Sequence, residues 1–136
     1  MTLLRNLLIL LFGMFILVTA HAQKQVELLK ADELEGGVIN GVKVQKLKGN
    51  VQFKHNEALM YCDSAYQYSS KNTIDAWGNV QIVVVAANGI IITGNTLNYN
   101  GATSTGVIKG NVILKEGEKV STSNVLKYKL NPFRLL

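Results

Sequence analysis

Cysteine, histidine and proline are nearly absent from this chain, and each shortage excludes a class of protein. Cys62 is the only cysteine, so no internal disulfide can form, and with His21 and His55 as the only histidines no Cys/His metal cluster can be assembled. We expect Cys62 to be a small core residue, and His55, beside Asn56 in a predicted turn, to lie on the surface. Pro132 is the only proline, which is typical of a chain with few interrupted strands.

Catalytic groups are equally scarce. No nucleophile motif is recognisable, and the carboxylates Asp63 and Asp75 show no pairing pattern in the sequence. Each lies out of phase with its apolar neighbours, so both are predicted to be outward-facing strand charges. No basic block with interleaved aromatic residues indicates nucleic-acid binding. We therefore predict a protein that is not an enzyme and that needs neither a cofactor nor a metal.

The N-terminus has the pattern of a secretory signal peptide. Arg5 is followed by an apolar run over 7–18 and by the small-residue exit Ala20-His21-Ala22. The run is shorter than the roughly 20 residues that a membrane-spanning helix needs. We predict that residues 1–22 are cleaved on export, which leaves 114 of the 136 residues as one domain. Without Arg5, 13 Lys and Arg stand against 9 Asp and Glu, a mild excess that favours anionic partners.

Two short elements recur along the exported part with a period of about 30 residues. The first is Gly-Asn-Val, and its copies begin at Gly49, Gly78 and Gly110. The second alternates between apolar and polar positions and begins at Leu28, Met60, Ile91 and Val120. Because two independent elements share one period, the chain is predicted to be a repeat protein.

The Gly-Asn-Val element allows two interpretations. Gly-Asn at the tip of a two-residue hairpin would mix polar and apolar residues on each face of the strands. One long strand running through the glycine would instead keep the apolar residues on one face, as in Leu47, Gly49, Val51 and Phe53. We favour the long strand in all three copies. The glycine is then predicted to lie on the inner face, where a bend or a close neighbour leaves no room for a side chain.

The second element is predicted to put every second residue on the inner face. In its second copy these residues are Met60, Cys62, Ser64, Tyr66 and Tyr68. The middle position is small and polar in each copy, which favours a corner where the side chain bonds to local backbone. These corner residues are Asp32, Ser64, Asn95 and Asn124. The tyrosines near the end of the copies, Tyr68, Tyr99 and Tyr128, are predicted to pack in the core with their hydroxyls at its rim.

Each repeat is thus a pair of long bent strands that cannot bury its apolar face alone, so neighbouring repeats must stack. We predict an all-β, repeat-built structure that is open at both ends, with a β-solenoid as the alternative. Residues 23–130 form the domain, and residues 131–136 form an irregular tail. The apolar residues predicted to line a ligand-binding groove are Val51, Phe53, Met60, Tyr66, Val80, Ile82, Val84, Ile91, Leu97, Val112, Leu114 and Leu126.

These motifs resemble a known family. The segment Ala31-Asp32-Glu33-Leu34, the stretch 59–65 (Leu-Met-Tyr-Cys-Asp-Ser-Ala) and the stretch 76–80 (Ala-Trp-Gly-Asn-Val) are similar to the OstA-like superfamily over residues 26–130. That superfamily includes the periplasmic lipopolysaccharide-transport protein A and the N-terminal domain of the lipopolysaccharide-assembly protein D. The resemblance implies an open-ended β-jellyroll in the periplasm, close to the outer membrane.

The resemblance also implies the ligand and the partners. Lipopolysaccharide would place its lipid A acyl chains in the groove, and other OstA-like or lipopolysaccharide-transport proteins would join by end-to-end strand pairing. We therefore expect a non-catalytic bridge component that delivers lipopolysaccharide to the outer membrane. Two alternatives remain: an assembly module that docks by a strand edge onto an outer-membrane β-barrel protein, and a β-solenoid acting on polysaccharide. The repeat also predicts a further Gly-Asn-Val strand after Tyr128, which the sequence does not contain.

Overall fold

The computed structural model describes residues 24–85 and 89–136, and within these ranges the chain consists of β-strands and turns with no helix. The predicted signal peptide, residues 1–22, lies outside the described residues, as does most of the predicted turn at 87–89. The all-β prediction is confirmed. The strands are β1 (Glu27–Lys30), β2 (Glu33–Ile39), β3 (Val42–His55), β4 (Ala58–Tyr68), β5 (Thr73–Val84), β6 (Ile90–Asn100), β7 (Thr105–Glu116), β8 (Lys119–Lys129) and β9 (Arg134–Leu135).

The strands form one open antiparallel sheet, and from β3 onward each strand pairs with the next in the chain. β1 and β2 both pair with β3, β1 beside its C-terminal half and β2 beside its N-terminal half. The tight turn between β2 and β3 has Asn40 at φ +50° and Gly41 at φ +77°, the left-handed conformation that a two-residue hairpin requires. At the other edge β9 pairs with only the end of β8, so part of the predicted irregular tail is a short strand.

β3, β5 and β7 each run through a Gly-Asn pair without turning back, which confirms the long-strand interpretation and excludes the hairpin. The two residues of each pair lie opposite one residue of the neighbouring strand, so the pair is a β-bulge. On β3 the flanking cross-strand pairs are Lys48–Ser64 and Val51–Cys62. Gly49 has φ +81° and Asn50 has φ +47°, and the other two Gly-Asn pairs differ from these angles by only a few degrees.

An exposed Asp or Asn closes the space at each bulge; two of these residues lie on the neighbouring strands β4 and β6, and Asp32 lies in the bend between β1 and β2. The side-chain amide of Asn79 donates to Asp63 Oδ2 at 2.8 Å, and a Cβ on Gly78 would lie 2.7 Å from the same oxygen. Asp32 and Asn95 lie against the other two bulge glycines. Two predictions are therefore wrong. The residue at the corner of the second copy is Asp63 and not Ser64, and the neighbour that crowds the glycine is an exposed polar side chain and not the apolar interior.

The predicted alternation through the glycines is confirmed in β3, β5 and β7. On β5 the residues Ile74, Ala76, Val80 and Ile82 are all buried, although the bulge lies in the middle of the strand. From Ala76 to Val80 the chain takes four steps, an even number that returns the side chain to the same face.

The alternation predicted for the second element is wrong, because β4 and β6 change phase where they pass the bulges. On β4 the buried residues are Met60 and Cys62 before that point and Ala65 after it, so Tyr66 lies on the outer face. On β6 the same change leaves Ile91 outside, while Leu97 is buried as predicted. β3 and β5, on either side of β4, each have one extra residue at their bulge. Over the stretch where these strands take four steps, β4 takes only three, from Cys62 to Ala65. An odd number of steps reverses the face.

One face of this single sheet carries the hydrophobic core, so the sheet must fold onto itself to cover it. The contacts show how: His55, at the end of β3, hydrogen-bonds to Tyr99 of β6, although β4 and β5 lie between these strands in the sheet. Asn56 in the β3–β4 turn likewise donates to Ser104 Oγ in the β6–β7 turn at 2.9 Å. The two ends of the bent strands therefore meet along a line of contact, which we call the seam. Across the seam each strand contacts the strand three places further along the sheet, as β3 contacts β6. This is the rolled, open-ended architecture that the repeat predicted.

Candidate functional site

The candidate site is the apolar interior enclosed by the folded sheet, together with its opening at the β2–β3 end. Of the twelve predicted lining residues, nine are buried in the core and Leu126 packs partly buried against it. Tyr66 and Ile91 lie on the opposite face for the reason given above. The nine buried residues are Val51, Phe53, Met60, Val80, Ile82, Val84, Leu97, Val112 and Leu114.

The middle of the interior is filled by the protein's own side chains. Ile82, Ile92 and Ile108 each have 0% of their surface exposed, and Val80 and Val112 have 1%. Protein interiors pack as densely as organic crystals, so a chain of methylene groups could enter here only if the two halves of the sheet moved apart. The groove predicted from the sequence is therefore a closed core in this part of the molecule.

The interior opens at the β2–β3 end. A cavity of ≈ 530 Å³ lies there, within the range of small-molecule sites, and its walls include Gly36, Val38, Gln45 and Gln67. Gly36, Gln45 and Gln67 are cross-strand neighbours next to the buried Leu47, so the cavity continues the inner face. Val38 is 65% exposed at its mouth. The sequence predicted none of these residues, because Gly36 and the two glutamines do not fit an apolar lining.

A buried polar network closes the seam. The Nε2–H of His55 donates to the carbonyl of Lys24 at 2.9 Å, which leaves Nδ1 to accept a hydrogen bond from the Tyr99 hydroxyl at 2.6 Å. Burial raises the pKa of Tyr99 well above its ordinary value. Asn72 holds the same N-terminal segment, because its Oδ1 accepts from the Val26 amide at 2.8 Å. The prediction that His55 lies on the surface is wrong: only 2% of it is exposed.

Two other single residues stand out in the core. Cys62 is buried as predicted, and burial raises the pKa of its thiol to about 12, so the thiol stays protonated at neutral pH. Tyr128 is fully buried beside Phe133, and its hydroxyl has no hydrogen-bond partner. The rim position predicted for that hydroxyl is wrong. Tyr68 lies on the outer face like Tyr66, because both follow the change of phase on β4.

A second concave surface lies on the outer face of the sheet, across β2–β5. Its cavity of ≈ 470 Å³ contains Trp77, Tyr66 and Ser64, with two glutamates and two lysines of β2 and β3. Trp77 and Tyr66 contact each other edge to face, with ring centroids 4.8 Å apart. Trp77 is 38% exposed. Its position out of phase with the buried residues of β5 is the sequence signal that could have indicated this surface.

The family model described as OstA-like protein matches residues 23–132. The chain belongs to the OstA-like family. The matched part of this OstA-like chain includes all of β1 to β8, and therefore every strand that lines the interior and every Gly-Asn bulge. No curated protein matches the chain.

Neither a metal centre nor a membrane-crossing helix is found in the described part of this OstA-like protein. Over residues 24–85 and 89–136, no three His, Cys, Asp or Glu side chains are grouped so that they could hold a metal ion. Within the same residues no helix is long and apolar enough to cross a membrane. At the mouth of the interior, the cavity walls include the polar side chains of Gln45 and Gln67.

Proposed function

We propose that this OstA-like protein binds lipopolysaccharide in the periplasm and takes part in its transport to the outer membrane, without catalysing a reaction. The observation that carries the proposal is an apolar interior that runs through the folded sheet and opens at the β2–β3 end, in a member of this family. Each methylene of an acyl chain that leaves water contributes about 0.8 kcal/mol. This gain is available to the end of an acyl chain in the open cavity, whereas the closed middle of the interior would have to move apart before a chain could pass through it.

The open cavity is the point at which we place the first contact with acyl chains. Val38, which lines this cavity, is 65% exposed on β2. Lys43 also lines the cavity and can pair with a phosphate group of the ligand.

The test is in vivo photo-crosslinking with p-benzoylphenylalanine at Val38, followed by immunodetection of lipopolysaccharide on the captured protein. Val125 on β8, which is 46% exposed, gives the matched control because it pairs with the outward-facing Lys109. We expect capture from position 38 and none from position 125. Equal labelling from both positions, or none from position 38, would contradict lipid binding at the cavity.

One observation favours the alternative of an assembly module. The middle of the interior is filled by its own side chains, as Ile82, Ile92 and Ile108 show, so a purely structural role needs no ligand. The edge of β8 is covered by β9 only near Tyr128 and Lys129, which leaves most of that strand open to pairing. Co-purification with an outer-membrane β-barrel protein, with no lipopolysaccharide captured at Val38, would support this function over transport.

A further inference from the structure

The outer cavity described above has the composition of a carbohydrate site. Seven of its nine lining residues come from two adjacent cross-strand rows, which face away from the core because they alternate with the pair Leu47–Ala65. The other two are Leu34 and Leu47, which lie between the rows. One row contains Glu33, Lys48, Ser64 and Trp77, and the other contains Glu35, Lys46 and Tyr66.

The aromatic pair forms the floor for ring stacking. Tyr66 holds the Trp77 ring at an interplanar angle of 79°, which limits the orientations that Trp77 can adopt. Trp77 nevertheless keeps 38% of its surface exposed, in a sheet whose other face buries its apolar residues almost completely. A pyranose ring has an apolar face of C–H groups that covers such an indole, and its hydroxyl groups remain free to hydrogen-bond.

The polar side chains around the aromatic pair supply those hydrogen bonds. Glu33 and Glu35 are acceptors, and Lys46 and Lys48 are donors, so both kinds of partner surround the cavity. Hydrogen bonds to charged groups are stronger than those between neutral groups. Because the charges of the two glutamates and the two lysines sum to zero, the cavity does not select for a polyanion. Its volume of ≈ 470 Å³ lies within the range of small-ligand sites.

From this juxtaposition we infer that the outer cavity at Trp77 and Tyr66 binds a saccharide unit, namely the sugar portion of the glycolipid whose acyl chains contact the inner face. The inference rests on the proposed function for the identity of the glycolipid. It adds a second binding site, on the opposite face of the same strands. A ligand that contacts both faces at the β2–β3 end would be bound with its sugar portion in the outer cavity and its acyl chains in the open cavity of the interior.

The test uses the fluorescence of Trp77, which is the only tryptophan of the chain. The probe is the oligosaccharide of lipopolysaccharide freed of all acyl chains by alkali, titrated into the exported chain. We expect a saturable change in Trp77 emission. Tyr66→Ala, which keeps the fluorophore, and Glu33→Gln, an exposed change that leaves the core untouched, should each weaken binding about tenfold. Thr96→Ala is the matched control, since Thr96 pairs with Trp77 on β6 but lies outside the cavity.

Three outcomes would overturn the inference: no change in Trp77 emission, equal affinity of the wild type and the Glu33→Gln variant, or displacement of the oligosaccharide by millimolar inorganic phosphate. The last result would show that the lysines bind phosphate and that the aromatic pair contributes nothing. Failure here and failure of the transport proposal are distinguishable. Capture of lipopolysaccharide at Val38 without oligosaccharide binding removes only the outer site, whereas oligosaccharide binding without that capture removes only the lipid site.

Discussion

Replacing the glycine of a bulge measures how much the contact between the bulge and the Asp opposite contributes to the free energy of unfolding. Gly78 has φ +79°, and a left-handed conformation costs an L-residue about 1–2 kcal/mol. The Cβ of Gly78→Ala would also lie 2.7 Å from Asp63 Oδ2 and 2.9 Å from Asp63 Cβ. Because Asp63 Cβ is fixed to the backbone of β4, the strand must shift and the bond from Asn79 weakens. We expect a total loss of about 2–4 kcal/mol in the free energy of unfolding.

Two other glycines separate the steric cost from the conformational cost. Gly117 has φ +60° with nothing within 4 Å of a Cβ, so Gly117→Ala should lose only the conformational part, about 1–2 kcal/mol. Gly36 has the same open space without a positive φ, and Gly36→Ala should change stability by less than about 1 kcal/mol. The measurement is urea unfolding of residues 23–136 followed by far-UV circular dichroism, with the m-value checked for constancy.

The order of the stability losses of these three variants shows whether Asp63 crowds the bulge at Gly78. If Gly78→Ala is no more destabilising than Gly117→Ala, the clash with Asp63 does not exist and the bulge is not held by that residue. The double variant Gly78→Ala with Asp63→Ala provides a second check, since removal of the Asp63 carboxylate should recover part of the steric loss. A coupling energy near zero in this cycle would contradict the geometry as well.

Three further predictions concern the interior. Tyr128→Phe should leave stability unchanged or raise it by about 1 kcal/mol in urea unfolding, because the buried hydroxyl has no partner to lose; a clear loss would show that it has one. Cys62 should resist iodoacetamide at pH 8 in the folded protein and react in urea, since burial raises its pKa to about 12, and rapid labelling of the native state would contradict this burial. Ile82→Ala should cost about 2–5 kcal/mol, whereas a nearly neutral result would mean that the middle of the interior is loose.

Much of the fold could be predicted from the sequence, because the repeat leaves a local trace. The period of the Gly-Asn-Val element identified β3, β5 and β7, and the count of residues across each glycine is a property of one strand alone. The apolar phase through Val80 and Ile82 was therefore predicted correctly. The choice of a long strand over a hairpin followed from the same count, because only the long strand kept the apolar residues together.

The errors arose where a position depends on a neighbouring strand. Tyr66 and Ile91 were placed on the wrong face, because β4 and β6 lose one step opposite each bulge and nothing in their own residues records this. The same change of phase puts the corner of the second copy at Asp63 and not at the predicted Ser64.

His55 shows the limit most clearly. Its neighbours in sequence are those of an exposed turn, and its burial comes from Tyr99, 44 residues away, and from the backbone of Lys24. The open cavity near Val38 and the aromatic surface at Trp77 are likewise set by strand pairing, since each combines residues from neighbouring strands of the sheet. The sequence by itself determined the strands and the apolar face of β3, β5 and β7, because alternation is a property of consecutive residues. Only the tertiary structure decided which surfaces meet. The step that β4 and β6 lose opposite the bulges, and the strands that contact each other across the seam, depend on pairs of strands and not on the residues of any one strand.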